Sequence, residues 1–109
     1  MALTGTGSKT SVSFHNVGVS YLNDEGEANT KFACEVTVVC EYDPEGMLVR
    51  LYNGSSGETL QEFLVKQTVE SARVGKRGII FHLDIETILL KFSDHEVARK
   101  FSAMVSSIR

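Results

Sequence analysis

The stretch LLKFSDHEVARKFSAMVSSIR, residues 89–109, is typical of the end of a β-strand followed by an amphipathic helix. An apolar run ends at Phe92, and a short polar stop follows it. Ser93 and Glu96 have the S-x-x-E spacing of a capping box, in which the serine hydroxyl accepts the Glu96 N–H and the glutamate reaches back. The spacing therefore predicts a helix that begins just after Ser93 and continues to the end of the sequence.

The apolar residues of this segment recur at helical spacing and mark one face of the predicted helix. They are Val97, Phe101, Met104, Val105 and Ile108. Glu96 and Lys100 have the i,i+4 spacing and order that favour an ion pair. Burial of each large apolar side chain contributes about 1.5–3 kcal/mol, so the helix needs an apolar surface to pack against. We expect the preceding strands to supply that surface.

The clearest strand signal is KFACEVTVVCEY, residues 31–42, in which apolar and polar positions alternate with a period of two. Residues 43–46, DPEG, predict a turn, because Pro44 presets φ and Gly46 tolerates unusual backbone angles. The segment NDEGEANT, residues 23–30, is predicted to be a loop. Further strand candidates are SVSFHNVGVSYL (11–22, one strand or two short ones broken near Asn16 and Gly18), MLVRLYN (47–53), TLQEFLVK (59–66), part of TVESARVGKRG (68–78), IIFHL (79–83) and TILLKF (87–92).

This order, about seven strands and then one helix, predicts a mainly β fold with one C-terminal α-helix. A strongly twisted antiparallel sheet of this size forms a seven-stranded sandwich or barrel with an open end, which a terminal helix can close. That is the plan of the pleckstrin-homology-like (PH-like) superfold, whose members bind phosphoinositides, phosphotyrosine or proline-rich peptides. We predict a flexible lead-in at residues 1–10 and a single PH-like domain at residues 11–109.

Composition narrows the classes of partner and the cellular compartment. The formal net charge is −3, which argues against bulk attraction to nucleic acid or to an anionic membrane. No apolar run is long enough to span a bilayer, and residues 1–10 lack the apolar core of a secretory signal. On one straight strand Cys34 and Cys40 would be about 20 Å apart, too far for a disulfide. We expect both thiols on one side of that strand as small buried apolar groups, in a reducing intracellular compartment.

The residues able to carry chemistry do not form a known catalytic or metal-binding pattern. The three histidines, at positions 15, 82 and 95, lack the spacing of a zinc site. Asp84 and Glu86 flank Ile85 in a turn and are interpreted as solvated turn residues rather than an acid–base pair. We predict no catalytic residue, no metal and no cofactor in this domain.

Binding surfaces of the PH-like superfold give more specific expectations. Phosphoinositide sites need several basic residues near the first strand pair, but here LNDEGEANTK, residues 22–31, holds three acidic residues and one lysine. We therefore disfavour phosphoinositide binding. Proline-rich peptides need an exposed aromatic groove, and the chain has no tryptophan. The basic cluster Arg73, Lys76 and Arg77 is the candidate partner-binding site, for an acidic partner; the alternative is an ordinary solvated turn.

Residues 70–101, ESARVGKRGIIFHLDIETILLKFSDHEVARKF, resemble the N-terminal PH-like domain of the coactivator-associated arginine methyltransferases, a family of type I enzymes. The shared pattern is an S-R-V-G-[KR]-like turn with Ala72 at the serine position, an apolar strand, and [VI]-L-[IL]-x-F at residues 88–92. A phenylalanine-bearing helix completes it. The segment YDPEGMLVRLYN, residues 42–53, is also similar, and the resemblance covers about residues 17–109.

The resemblance implies that the parent protein transfers methyl groups from S-adenosylmethionine to arginines of histones and transcriptional coactivators, in the nucleus and cytoplasm. The chain has neither a glycine-rich methyl-donor loop nor a paired-glutamate segment, so no catalytic or cofactor residue is carried over. The family's module implies a non-catalytic recruitment domain with protein partners. Two alternatives stay open. One is a stand-alone PH-like or EVH1-like adaptor that binds a peptide, with phosphoinositide less favoured. The other is a self-association module that forms a homodimer through an exposed strand edge.

Overall fold

The computed structural model describes residues 11–109, in which the chain forms eight β-strands and one α-helix. The predicted flexible lead-in at residues 1–10 lies outside the described residues. The elements are β1 (Ser11–Leu22), β2 (Ala28–Thr30), β3 (Val36–Asp43), β4 (Gly46–Asn53), β5 (Thr59–Lys66), β6 (Glu70–Val74), β7 (Gly78–His82), β8 (Thr87–Lys91) and α1 (His95–Ser107). The helix is not long and apolar enough to cross a membrane.

All strand pairs are antiparallel and follow the order β5-β4-β3-β1-β8-β7-β6, with β2 added beside β1. The mainly β class with one C-terminal helix is confirmed. The sheet is not a closed barrel, because within residues 11–109 strands β5 and β6 do not pair. Both are therefore free edges, one at each end of the strand order.

The eighth strand, β2, corrects the prediction that residues 23–30 form only a loop. The Asn23 side chain accepts hydrogen bonds from the backbone N–H groups of Glu25 (3.0 Å) and Glu27 (2.9 Å). Gly26 has a φ of +80°, which glycine adopts at little cost. Together these features reverse the chain tightly enough for Ala28–Thr30 to pair with the end of β1.

Strand β1 connects two sets of strands, β3–β5 and β6–β8. Its first part pairs with β3 and its second part, from Gly18 onward, pairs with β8. The register shifts between Phe14 and Val17, where Asn16 has a φ of +57°. Of the two possibilities left open by the sequence, the structure has one continuous strand, bent by a β-bulge near Asn16.

The helix closes the inside of the fold through aromatic contacts. The Phe101 ring is fully buried and lies 5.4 Å from Phe14, 4.9 Å from Phe92 and 5.9 Å from Phe81, measured between ring centroids. Val105 is also buried, while Val97, Met104 and Ile108 are partly buried against the same core. The apolar face predicted from helical periodicity is therefore confirmed.

The strand predicted to start at Lys31 starts at Val36. Val36 pairs with Asn53, the last residue of β4, so residues 31–35 have no β4 strand beside them. Cys34 thus lies outside β3 and is half-buried, and the expectation of two thiols on one strand is wrong. Cys40 is fully buried, and burial raises the pKa of its thiol to about 12. Both cysteines are free thiols.

The predicted turn at residues 43–46 is confirmed and depends on its glycine. Gly46 has a φ of +152°, and a Cβ atom added there would lie 2.1 Å from the Val65 carbonyl oxygen. Only glycine therefore allows β4 to approach β5 this closely at the start of their pairing.

The predicted Ser93–Glu96 capping box is wrong, because Asp94 caps the helix instead. The Asp94 carboxylate accepts the Val97 backbone N–H at 2.9 Å, and Asp94 has extended backbone angles. Glu96 pairs with Arg99 at 3.1 Å rather than with Lys100. The helix therefore begins one residue later than the capping-box spacing predicts.

Replacement of Asp94 tests this assignment. We expect Asp94→Ala to lower the free energy of unfolding by about 1 kcal/mol, because the Val97 N–H loses its acceptor. Ser93→Ala is the matched control and should change it by less than about 0.5 kcal/mol. Urea unfolding measures both. A larger loss of unfolding free energy for Ser93→Ala than for Asp94→Ala would show that Ser93, and not Asp94, caps the helix.

Candidate functional site

The strands β2, β1, β8, β7 and β6 form a sheet whose inner side packs on the core and whose outer side faces solvent. Ile88 and Leu90 of β8 are fully buried, so Leu89 between them faces outward. Leu89 is opposite Ser20 on one neighbouring strand and Ile80 on the other, and Ile80 is opposite Ala72. These residues form one outward-facing row across four strands.

Two parallel rows flank this central one. One row joins Leu22, Thr87, His82 and Glu70, and the other joins Gly18, Lys91, Gly78 and Val74. Val74 is 44% exposed; in the central row Ala72 is exposed, and Ile80 and Leu89 are half-buried. We call the apolar surface made by these rows the outer face. Its members are Leu22, Ala72, Val74, Ile80 and Leu89.

Basic side chains border one end of the outer face. Lys76, Arg77 and Lys91, the basic rim, surround a shallow hollow of about 300 Å³ with Val74 and Leu89 among its lining residues. The turn that carries the rim is fixed, because the Arg77 carbonyl accepts the Phe92 backbone N–H at 2.8 Å. The rim therefore presents positive charge beside apolar surface, although the whole chain has a net charge of −3.

Charge is distributed unevenly along the chain. Residues 70–109 hold seven basic and five acidic residues, whereas residues 11–69 hold three basic and nine acidic residues. Strands β6–β8 and the helix are thus the more basic part, and β1–β5 the more acidic part.

The three predicted partner-binding residues do not lie on the same side of the sheet. Lys76 and Arg77 lie on the basic rim, but Arg73 is opposite the core-facing Ile79 and so belongs to the other side of β6. The Arg73 guanidinium donates to the Lys76 carbonyl at 2.9 Å, which holds it along its own turn. The binding role of these three residues stays a prediction.

The sequence interpretation missed Ile80, Leu89 and Lys91. The runs GII and ILL contain apolar residues at consecutive positions, so alternation does not show which of them faces solvent. Only the pairing register of β7 and β8 assigns Ile80 and Leu89 to the outer face. Lys91 joins the rim through its pairing with Gly78, which no local signal indicates.

Glu86 is not the solvated turn residue that was predicted. Its side chain is 19% exposed, pairs with Lys31 Nζ and accepts a hydrogen bond from Gln61 Nε2 at 2.7 Å. Burial alone raises the pKa of this carboxyl, but the hydrogen bonds from Lys31 and Gln61 and the charge of Lys31 outweigh it and lower the pKa. Glu86 therefore fastens the β7–β8 turn to β5 and to the segment before β3. Asp84 is exposed, as predicted.

Two of the three histidines have hydroxyl groups as neighbours. His15 Nδ1 lies 3.3 Å from Thr37 Oγ1, and His82 Nδ1 lies 3.3 Å from Thr87 Oγ1. No group of three or more His, Cys, Asp or Glu side chains within residues 11–109 is placed to hold a metal ion.

Comparison with curated proteins finds relatives among arginine methyltransferases. The chain is 27% identical over 99 residues to histone-arginine methyltransferase CARMER of Drosophila grimshawi, matching 88% of this chain and 18% of that protein. The Drosophila willistoni protein of the same name is 25% identical, with 88% and 19% covered. The probable histone-arginine methyltransferase CARMER of Drosophila melanogaster is 24% identical, with the same shares. The chain thus spans less than a fifth of these relatives, in their N-terminal region, as the resemblance predicted.

Comparison with solved structures supports the fold. The chain superposes on the solution structure of the Dm DCP1 EVH1 domain in complex with the XRN1 DBM peptide with a TM-score of 0.70 and 12% identity. The match covers 91% of this chain and 74% of that one, and EVH1 domains have a PH-like fold. At this identity the likeness shows the fold alone. No family model matches the chain.

The depressed pKa of Glu86 predicts an acid-sensitive contribution to stability. A carboxyl whose pKa is lower in the folded state stabilises fully above its unfolded pKa of 4.5, and the contribution is lost as the pH falls through the lower folded pKa. We expect Glu86→Gln to lower the free energy of unfolding at pH 7 by roughly 1–3 kcal/mol, since hydrogen bonds to a charged group are lost.

Urea unfolding at pH 7 and pH 3 measures this difference. The difference between wild type and Glu86→Gln should be smaller at pH 3 than at pH 7, whereas Asp84→Asn, the exposed neighbour, should match wild type at both. An equal difference at the two pH values would contradict the assigned role of the Glu86 charge.

Proposed function

We propose that this chain is a non-catalytic protein-interaction domain that recruits partners for a protein arginine methyltransferase. The observation that carries the proposal is the match of 88% of the chain to the N-terminal region of CARMER proteins, of which it makes up only 18–19%. A small domain of this fold in the N-terminal region of a much longer enzyme is better suited to binding a partner than to catalysing the reaction.

The parent protein, in this proposal, transfers methyl groups from S-adenosylmethionine to arginine side chains of histones and transcriptional coactivators. The relatives are named as histone-arginine methyltransferases, which supports that activity for the parent. The domain itself needs no cofactor and acts in the nucleus and cytoplasm with its parent.

The outer face and its basic rim form the recruitment surface. Partly exposed apolar side chains such as Ile80 and Leu89 supply the area that a partner desolvates. Lys76, Arg77 and Lys91 attract acidic groups at one end of that area. An acidic protein segment with apolar residues satisfies both features, whereas nucleic acid and phosphoinositide are disfavoured by the acidic β1–β5 part of the chain.

A second candidate function is that of a stand-alone adaptor that binds a peptide. The structural likeness to an EVH1 domain that was solved with a peptide favours it. The outer face would serve both functions, so the two differ in whether a catalytic region belongs to the same protein.

Photocrosslinking tests the recruitment surface directly. We expect a benzophenone amino acid at position 89 to capture proteins rich in acidic segments, and the same group at the exposed turn residue Ser55 to capture far fewer. The paired charge reversals Lys76→Glu and Arg77→Glu should reduce capture at position 89 roughly fivefold, since rim charges steer association.

Capture at position 89 that equals capture at Ser55, or that ignores the charge reversals, would contradict the proposed surface. Tight binding of the 109-residue chain to phosphoinositide vesicles would replace the protein partner with a lipid. Methyl transfer to an arginine peptide by the chain alone would contradict its non-catalytic role.

A further inference from the structure

We infer that the free edge of β5 is a self-pairing surface, through which two copies of this chain join their sheets about a twofold axis. The inference is independent of the proposed recruitment function, because β5 and the outer face are different surfaces. The end of β5 reads EFLVK, residues 62–66, and this segment is complementary to itself when two copies run antiparallel.

The complementarity follows from the pairing rules of antiparallel strands. Residues directly opposite each other lie on the same face, so a twofold axis through Leu64 places Glu62 opposite Lys66 of the second copy. It also places Phe63 opposite Val65 of the second copy, and the two Leu64 side chains beside each other. Each register position then matches opposite charges or two apolar groups, with no like charges opposed.

The β4–β5 register confirms that these residues have the required faces. Glu62 and Leu64 are opposite Arg50 and Leu48, on the solvent side of the sheet, while Phe63 is opposite the buried Val49. The irregularity of β5 lies earlier, between the partners of Leu51 and Tyr52, so the segment from Glu62 onward pairs regularly. Glu62 is already oriented by Arg50 Nε at 3.2 Å and retains a second oxygen for another cation.

An exposed side chain beside this edge fits the same partner. Ile85, at the tip of the β7–β8 turn, is 91% exposed. It lines a groove of about 300 Å³ together with Phe63 and Leu64. Glu86 holds this turn through Lys31 and Gln61, so the groove is preformed. A second β5 strand in the groove would be covered by Ile85, and symmetry repeats that contact on the other copy.

The free edge of β6 lacks this complementarity. In β6, ESARV, an axis through Ala72 places Glu70 opposite Val74 and Ser71 opposite Arg73, with no pair of opposite charges. The Arg109 side chain also reaches β6, donating to the Ser71 hydroxyl at 2.8 Å. Self-pairing is therefore assigned to β5, and the interface is a homodimer rather than an open chain of copies.

A charge-exchange experiment tests the register. A five-residue pairing buries little area, so we expect a weak dimer with a dissociation constant on the order of 100 µM. Sedimentation from 10 µM to 1 mM measures it for the 109-residue chain. Lys66→Glu, which sets Glu62 against a glutamate in the second copy, should weaken association at least about tenfold, and so should Glu62→Lys.

Variants in which the charges at positions 62 and 66 are exchanged then test the register directly. The double variant Glu62→Lys with Lys66→Glu should dimerise again, and an equimolar mixture of the two single variants should form heterodimers. Lys100→Glu, which changes the net charge equally but lies at an exposed position of the helix, should associate like wild type. Thermal unfolding confirms that each variant is folded.

Three results would overturn the inference. They are a wild-type monomer at 1 mM, a dimer unaffected by Lys66→Glu, and a double variant that stays monomeric while folded. Backbone amide shifts that depend on concentration should map to residues 62–66 and to Ile85. Shifts confined to the outer face would assign association to that surface and contradict the β5 register.

Discussion

The packing of Phe101 of the helix against Phe14 and Phe92 is the contact on which the rest of the structure depends. Phe14 sits just before the bulge at which β1 leaves one set of strands and joins the other. Phe92 comes directly after the last strand, and its ring lies 4.9 Å from that of Phe101. Because β5 and β6 do not pair in the described structure, the sheet alone leaves its apolar side uncovered, and the helix covers it.

This closure determines where binding can take place. The inside of the fold is filled by the apolar face of the helix and by fully buried side chains, so binding surfaces lie on its outside. The outer face offers apolar surface beside positive charge, and the β5 edge offers a self-complementary strand. The two surfaces use different strands, so recruitment and self-association are compatible in one molecule. Pairing of two copies would present two outer faces and raise the effective affinity for a repeated partner.

The sequence predicts the features that depend on local periodicity and fails at those that depend on register or distant contacts. The helical face of Phe101 and Val105 and the turn at Gly46 are evident from spacing and residue type alone. Asp94 and Ser93 are both good caps, and only backbone geometry decides between them. Ile80 and Leu89 are hidden within apolar runs.

The role of Glu86 was also missed because it depends on a distant contact. Its ion-pair partner Lys31 is 55 residues away in the chain, so no local pattern could mark the pair. The shortened β3 has a similar cause, since the strand begins only where β4 can pair with it. The self-complementarity of residues 62–66, by contrast, can be recognised in the sequence once β5 is known to be a free edge strand.

A double-mutant cycle between Phe14 and Phe101 tests the central claim most directly. Urea unfolding of Phe14→Leu, Phe101→Leu and the double variant gives the coupling free energy between the two rings. We predict a coupling of about 0.5–1.5 kcal/mol, as expected for an edge-to-face aromatic pair in a core. Additive losses within about 0.3 kcal/mol would mean that the helix and β1 are stabilised independently, and would contradict the account.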